Sequence, residues 1–332
     1  MGGAMSARLL VRALRDPAGA AALDDAGWSA LVAMARAEQL EGQLAHRMAG
    51  LALPPGRARW REDAVAAAEA ARVAALWEAA VALEALAPLG VPLVLLKGTA
   101  YAAAGLAPAV GRTIGDLDIL VARDALDAVE AALLAGGWAL LKDDAYDDAY
   151  YRRWMHELPP LVRVESGRLI DVHHTILPPT ARPTPDASAM LAEAVALGSD
   201  WSVLAPEDMV IHSAAHLFAD GDLSGGLRNL WDIHRLLEEF GGPGFDQRLA
   251  ARAAHHQLAE PIARAVRLAH ALYGDGANLT QIDRLYTRRL LARDGWGMET
   301  RPATRLAFYI RSHWLRMPPL MLARHLWIKA TR

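Results

Sequence analysis

The chain has 332 residues, enough for two or three domains' worth of core, and 53% of them are hydrophobic, led by Ala and Leu, as in a globular and mostly helical protein. A net charge of −3 with a pI near 6.5 argues against a general nucleic-acid binder. The absence of cysteine excludes disulfides, thiolate catalysis and zinc–thiolate sites.

Residues 6–50 carry helical apolar spacing, broken near Pro17 and at Asp24-Asp25. The N-terminus lacks a signal-peptide pattern and no charge-free apolar stretch is long enough to span a bilayer, so a cytoplasmic protein without a membrane span is expected. MGGAMS formally matches a myristoylation pattern through Gly2 and Ser6. Met5 reads as the better start, with residues 1–4 an upstream extension. ALPPGR (52–57) is a breaker, and a long Ala-rich helix follows from about Trp60 to Leu86, stopped by Pro88 and Gly90.

From there the period changes. VPLVLL (91–96) reads as a strand, Lys97-Gly98-Thr99 as a turn, and TAYAAAGL as a short helix. DLDILV (116–121) is a second strand, and the helix after it ends at Gly136-Gly137 before a short strand in WALLK. LPPLVRVE and RLIDVHHTI form a hairpin through Ser166-Gly167. After the proline-rich PPTARPTPD, helical patterns run to the end. The fold class expected is therefore α+β. A small mixed β-sheet core in residues 88–182 lies between an N-terminal helical region, 1–87, and a C-terminal helical domain with a basic tail, 183–332.

Two acids in a buried strand need a reason, because an uncompensated buried charge costs several kcal/mol. Side chains alternate along a strand, so Asp116, Asp118 and Leu120 share one face while Leu117, Ile119 and Val121 pack inward. Like charges that close repel unless a cation lies between them. On that ground Asp118→Asn is expected to leave the fold intact or slightly more stable. A hard divalent ion such as Mg2+ suits carboxylate oxygens. Asp171 is a third acid inside an apolar strand, and a third carboxylate completes a two-metal phosphoryl-transfer site. Ahead of the pair, Gly98-Thr99 opens a helix, where backbone N–H groups can cradle phosphate.

Gly98-Thr99, Asp116-x-Asp118 and the later Asp171 resemble the active site of the polymerase-β-like nucleotidyltransferase superfamily. The closer resemblance, over roughly residues 10–240, is to its uncharacterised, mostly bacterial nucleotidyltransferase family. It rests on Lys97-Gly98-Thr99-Ala100, Arg112, Asp116-Leu-Asp118-Ile-Leu-Val121 and Asp171-Val-His173, with His156-Glu157-Leu158-Pro159 and Leu227-Arg228-Asn-Leu-Trp-Asp232 as later blocks. Threonine replaces the usual serine, and the gap between turn and acids is longer than in minimal members. The resemblance implies transfer of a nucleoside monophosphate from an NTP, ATP first among them, with two Mg2+ ions (Mn2+ as a substitute) on Asp116, Asp118 and Asp171. Asp171 would also help deprotonate the acceptor. Gly98 and Thr99 would cradle the terminal phosphates, with Lys97 and Arg112 adding positive charge, and His173, Arg228 and Asp232 are candidate substrate contacts.

The plainer readings differ residue by residue. Lys97 could equally be a surface lysine. Arg228 and Asp232 lie four apart on a helix, the spacing of a simple intrahelical pair. His174 should be packed, and His212 and His216 read as core or interface histidines. A sugar-nucleotide-dependent glycosyltransferase, which also uses Asp-x-Asp under a diphosphate, and a non-catalytic nucleotide-binding module are the alternative functions. The acceptor is expected to be a small molecule or peptide, with tRNA or protein as further candidates. From Arg284 to Arg332 eleven Lys/Arg face two acids, with Arg305, Arg311, Arg316, Arg324 and Lys329 interleaved among Phe308, Tyr309, Trp314, Leu320 and Trp327. This segment reads as a helix packed on an otherwise acidic body, or else as a contact for an acidic partner or membrane surface.

Overall fold

Alanine is the best helix former and proline suits a first helical turn. The Ala-rich segment accordingly forms one continuous helix, Pro55–Leu86, entered through Pro54-Pro55. The computed structural model describes residues 6–142, 144–198 and 201–316. Ahead of the long helix stand shorter ones, among them Arg8–Arg15, Asp25–Ala37 and Glu41–Arg47.

The sheet is built from β1 (Val94–Leu95), β2 (Leu117–Leu120), β3 (Trp138–Leu140), β4 (Leu161–Arg163), β5 (Leu169–His173), β6 (Val195–Leu197) and β7 (Trp201–Val203). Their order is β3-β4-β5-β2-β1-β7-β6. β2 runs parallel to β5 and β1 parallel to β7, while the remaining neighbours are antiparallel, so the α+β class and the mixed sheet are observed. The Ser166-Gly167 hairpin forms as expected, with Gly167 at φ +69° donating its N–H to Arg163 O at 2.8 Å. All four residues of β2 are buried. Helices Pro55–Leu86 and Lys97–Ala103 both contact this strand, so Leu120 on the acid face is enclosed along with the inward-facing side chains.

One expectation fails. The chain does not return to uninterrupted helix after the proline-rich segment, because β6 and β7 (195–203) add a hairpin to the sheet beyond residue 182. Three-residue strands are too short to show a period, and the exposed Val195 of β6 gives no buried pattern to read. Beyond them, helix Pro206–Ala215 continues into a π-helical turn at His216–Asp220, and helices Gly226–Phe240, Phe245–His255, Ala259–Leu272, Gln281–Leu290 and Pro302–Arg316 follow.

Two helical segments close on the loop before β2. Helix Glu41–Arg47 touches it where Gly42 meets Gly111: a Cβ at Gly42 would lie 2.3 Å from Gly111 O, so the two backbones can approach only as glycines. Helix Gly226–Phe240 packs against the turn Ala107–Ala109 from the other side. Of the basic C-terminal segment, helix Pro302–Arg316 buries Phe308 and exposes Tyr309 and Trp314. Leu320, Arg324, Trp327 and Lys329 lie outside the described residues, as do residues 1–4 and Met5. Among the described residues no helix is long and apolar enough to cross a membrane.

Candidate active site

β1 ends at Leu95, and Leu96 donates its N–H to Asp118 O at 2.9 Å, which brings the next residue beside the acid strand. Lys97 takes a left-handed backbone, φ +48°, an unusual conformation for a lysine and one that marks a constrained turn. Its Nζ lies 2.5 Å from Asp118 Oδ1. His173 Nε2 reaches the same oxygen at 3.0 Å. Asp118 is 2% exposed. Burial alone would raise its pKa, but the Lys97 ammonium and the His173 hydrogen bond outweigh it and hold the carboxyl far below the usual range. Lys97 answers in kind: burial pushes its pKa down, and the Asp118 charge more than restores it.

Parallel pairing of β2 with β5 places Asp171 directly opposite Asp118. Asp116, at the exposed end, completes a group whose carboxylate oxygens lie within 4.8 Å of one another. Burial first, and then the Asp118 charge, push the Asp171 carboxyl up to about 7. Its Oδ1 is buried without a hydrogen-bond partner. Three hard oxygen donors, one of them both orphaned and costly to ionise, fit a divalent cation that is shared with phosphate oxygens.

Arg112 is buried rather than free. It donates Nε–H to Asp232 Oδ2 at 2.9 Å, with Gln43 Nε2 on the other carboxylate oxygen at 3.3 Å. The spacing of Arg228 and Asp232 suggests an intrahelical pair, but Asp232 is given to Arg112 and Arg228 donates to Gln39 instead. Arg228 Nε is buried without a partner, and burial together with the neighbouring Arg112 lowers its pKa. A Cβ at Gly98 would stand 1.9 Å from Arg112 Nη1, so the space that glycine leaves is filled by this guanidinium. Thr99, in the first turn of the same helix as Gly98, is 1% exposed, and its Oγ1 has no hydrogen-bond partner among the described residues.

Lys97, Gly98, Arg112, Asp116, Arg228 and Asp232 thus line one polar pocket of about 100 Å3, together with Tyr101, Ser213 and His216. A larger groove, about 750 Å3, runs beside helix Arg8–Arg15 and holds none of the expected site residues. Volume alone favours that groove; converging charge favours the smaller pocket, and chemistry follows charge.

His174 is packed, with Nε2 3.2 Å from Met155 O. His212 is buried and His216 partly buried, and desolvation depresses both imidazoles, His216 to about 3. His216 nevertheless lines the pocket, a position that its helical spacing did not disclose. Gln43, Tyr101 and Ser213 carry no sequence signal at all. The His156-Glu157 dipeptide does have one, a charged pair before an apolar strand, and in the structure Glu157 bridges to His173.

A comparison with curated proteins finds no match. A family model described as Uncharacterised nucleotidyltransferase matches residues 24–274, a span that includes Gln43, the whole sheet and helix Gly226–Phe240. Every residue placed around the acids lies within it. The chain belongs to this nucleotidyltransferase family, and it is a transferase of nucleotidyl groups.

Proposed function

We propose that the enzyme moves a nucleoside monophosphate from an NTP, ATP first among them, to an acceptor hydroxyl or phosphate, releasing pyrophosphate. A nucleotidyltransferase takes an NTP, and such enzymes generally use divalent metals. The observation that carries the reading is the grouping of Asp116, Asp118 and Asp171, of which Asp116 lines a pocket shared with Lys97, Arg112 and Arg228. Mg2+, as two ions with Mn2+ as a substitute, is assigned to the three carboxylates, where it would supply positive charge to the phosphate oxygens. The remaining work falls to the chain. Lys97, Arg112 and Arg228 neutralise the terminal phosphates, Asp232 holds the Arg112 fork in place, and Thr99 offers a buried hydroxyl. The acceptor oxygen attacks the α-phosphorus, the bond to the bridging oxygen breaks, and pyrophosphate leaves with that electron pair. Asp171 takes the acceptor proton, while His173 steadies Asp118.

Residues 88–182 are assigned the chemistry, and the helices of 1–87 and 183–332 the recognition of phosphates and acceptor, in the cytoplasm. A small molecule or peptide suits the acidic chain better than a long nucleic acid. The test is incubation of the full chain with α-labelled NTPs and with labelled sugar nucleotides, over host-cell extract, with and without Mg2+. Label should pass to product only from an NTP and only with metal. Label arriving from the sugar would instead establish glycosyl transfer, and the acceptor class (small molecule, peptide, tRNA or protein) follows from the labelled product.

A further inference from the structure

Beside Asp118 a second group of donor atoms converges, and two of its three residues have no part in the transfer proposed above. His156 and Glu157 follow helix Ala145–Trp154 and run alongside β5, with Glu157 facing His173 in an antiparallel bridge. Backbone bonds hold the segment on both sides: Leu158 N–H to Val172 O and His174 N–H to His156 O, each 2.9 Å. This register brings His156 Nε2 to 3.7 Å and His173 Nε2 to 3.5 Å from Glu157 Oε2. Donor atoms of all three residues lie within 4.8 Å of one another, and the side chains are only 9%, 16% and 2% exposed in chain order.

These separations are too long for hydrogen bonds. They are the right length for something else: ligands about 2.1 Å from a tetrahedral ion stand about 3.4 Å apart. Among the described residues neither buried Nδ1 atom has a hydrogen-bond partner, so no bond there accounts for the position of His156. Two imidazoles and one carboxylate, with a fourth position open, are the donor set of a borderline dication such as zinc.

We propose that His156, Glu157 and His173 form a binding site for a transition-metal dication of the zinc type, distinct from the oxygen-only site of Asp116, Asp118 and Asp171. His173 joins the two. With its Nε2 lone pair on the ion, its proton lies on Nδ1, the metal-free hydrogen bond from Nε2 to Asp118 is given up, and Asp118 retains Lys97 as its partner. The ion clamps the His156 segment to β5 and sets the face that His173 presents to the acid strand. The site does not depend on which nucleotide the enzyme uses.

The experiment uses the full untagged chain, stripped with chelator and titrated with Co2+ in the absence of nucleotide. The expected result is about one equivalent bound, with the visible absorption bands of tetrahedral cobalt, displaced by Zn2+ and not by excess Mg2+. His156→Ala and Glu157→Gln should each weaken binding by roughly 100-fold or more. Asp116→Asn should leave the bands unchanged. Near-ultraviolet circular dichroism checks that each variant folds, and Glu157→Gln, which keeps shape and volume, decides the matter should His156→Ala fail to fold. No tetrahedral bands in the wild-type protein, their survival in Glu157→Gln, or their loss in Asp116→Asn would overturn the proposal.

Discussion

Asp118 gives a single oxygen to both Lys97 and His173, and that contact reverses an inference drawn from its neighbours in the chain. Read beside Asp116 alone, it is half of a repelling pair; folded, it anchors a half-buried ammonium. Asp118→Asn is therefore expected to lower stability by about 1–3 kcal/mol, since Lys97 keeps its charge but loses the carboxylate in contact with it. The same variant should abolish transfer of label from the NTP. A denaturant midpoint equal to that of the wild type would show that Lys97 finds another partner at no cost. Asp171 differs because burial and the Asp118 charge already disfavour its ionised form. Asp171→Asn should leave the metal-free protein as stable or more so, yet cut kcat by roughly 100- to 1000-fold while the NTP KM moves only a few-fold. Collapse of NTP affinity with kcat intact would remove Asp171 from the reacting centre. Residue type and spacing disclosed these acids because charges in an apolar strand are costly enough to need a function. Nothing comparable marks Gln43, whose amide meets Asp232 only after long-range folding.

Elements place these residues through register and close approach. The parallel pairing of β2 with β5 sets Asp118 against Asp171 without any loop having to aim a side chain. The strand bearing each acid was legible from β-branched and aliphatic runs, and the hairpin into β5 from Ser166-Gly167. The two-residue β1 and the β6–β7 hairpin offered little or no periodic signal, so the order of the sheet was not. The first turn of helix Lys97–Ala103 shows how a local rule can be satisfied for a different reason. Glycine there admits Arg112, whose guanidinium fills the space a side chain would take. Arg112 cannot simply swing aside, because it is buried and ion-paired with Asp232. Gly98→Ala is expected to cost about 1–3 kcal/mol. It should also weaken NTP binding more than binding of the nucleoside monophosphate, since the displaced arginine is the one proposed to face the terminal phosphates. Thermal melts and equilibrium binding with both nucleotides check this; equal loss for the two would place Arg112 elsewhere on the ligand.

Across the whole molecule, the described residues of the segment beyond 274 buttress a site to whose pocket they contribute no side chain. Arg293 bonds the buried Glu38, and Glu38 in turn accepts from the Leu227 N–H at 3.1 Å, at the start of the helix that carries Arg228 and Asp232. That segment is itself held by Asp283, whose carboxylate is fully enclosed. It accepts from Arg264 and Arg267 of helix Ala259–Leu272 and from Thr280 N–H, and Thr280 caps helix Gln281–Leu290. Burial would raise the Asp283 pKa, but these bonds, Arg267 foremost, bring it down to about 2. A carboxyl depressed in the folded state and ordinary in the unfolded chain binds fewer protons when folded. Its contribution is thus complete above about pH 4 and fades as pH falls toward 2. Arg267 reaches solvent in part, which screens the pair, so the contribution at neutral pH is about 1–2 kcal/mol. Asp283→Asn should accordingly be less stable than the wild type by that amount at pH 7, with the gap closing between pH 4 and 2. Urea midpoints taken from pH 7 down to 3 test the sign: a gap that widens on acidification would mean that another group, not this carboxylate, ties the C-terminal segment to the helices behind the site.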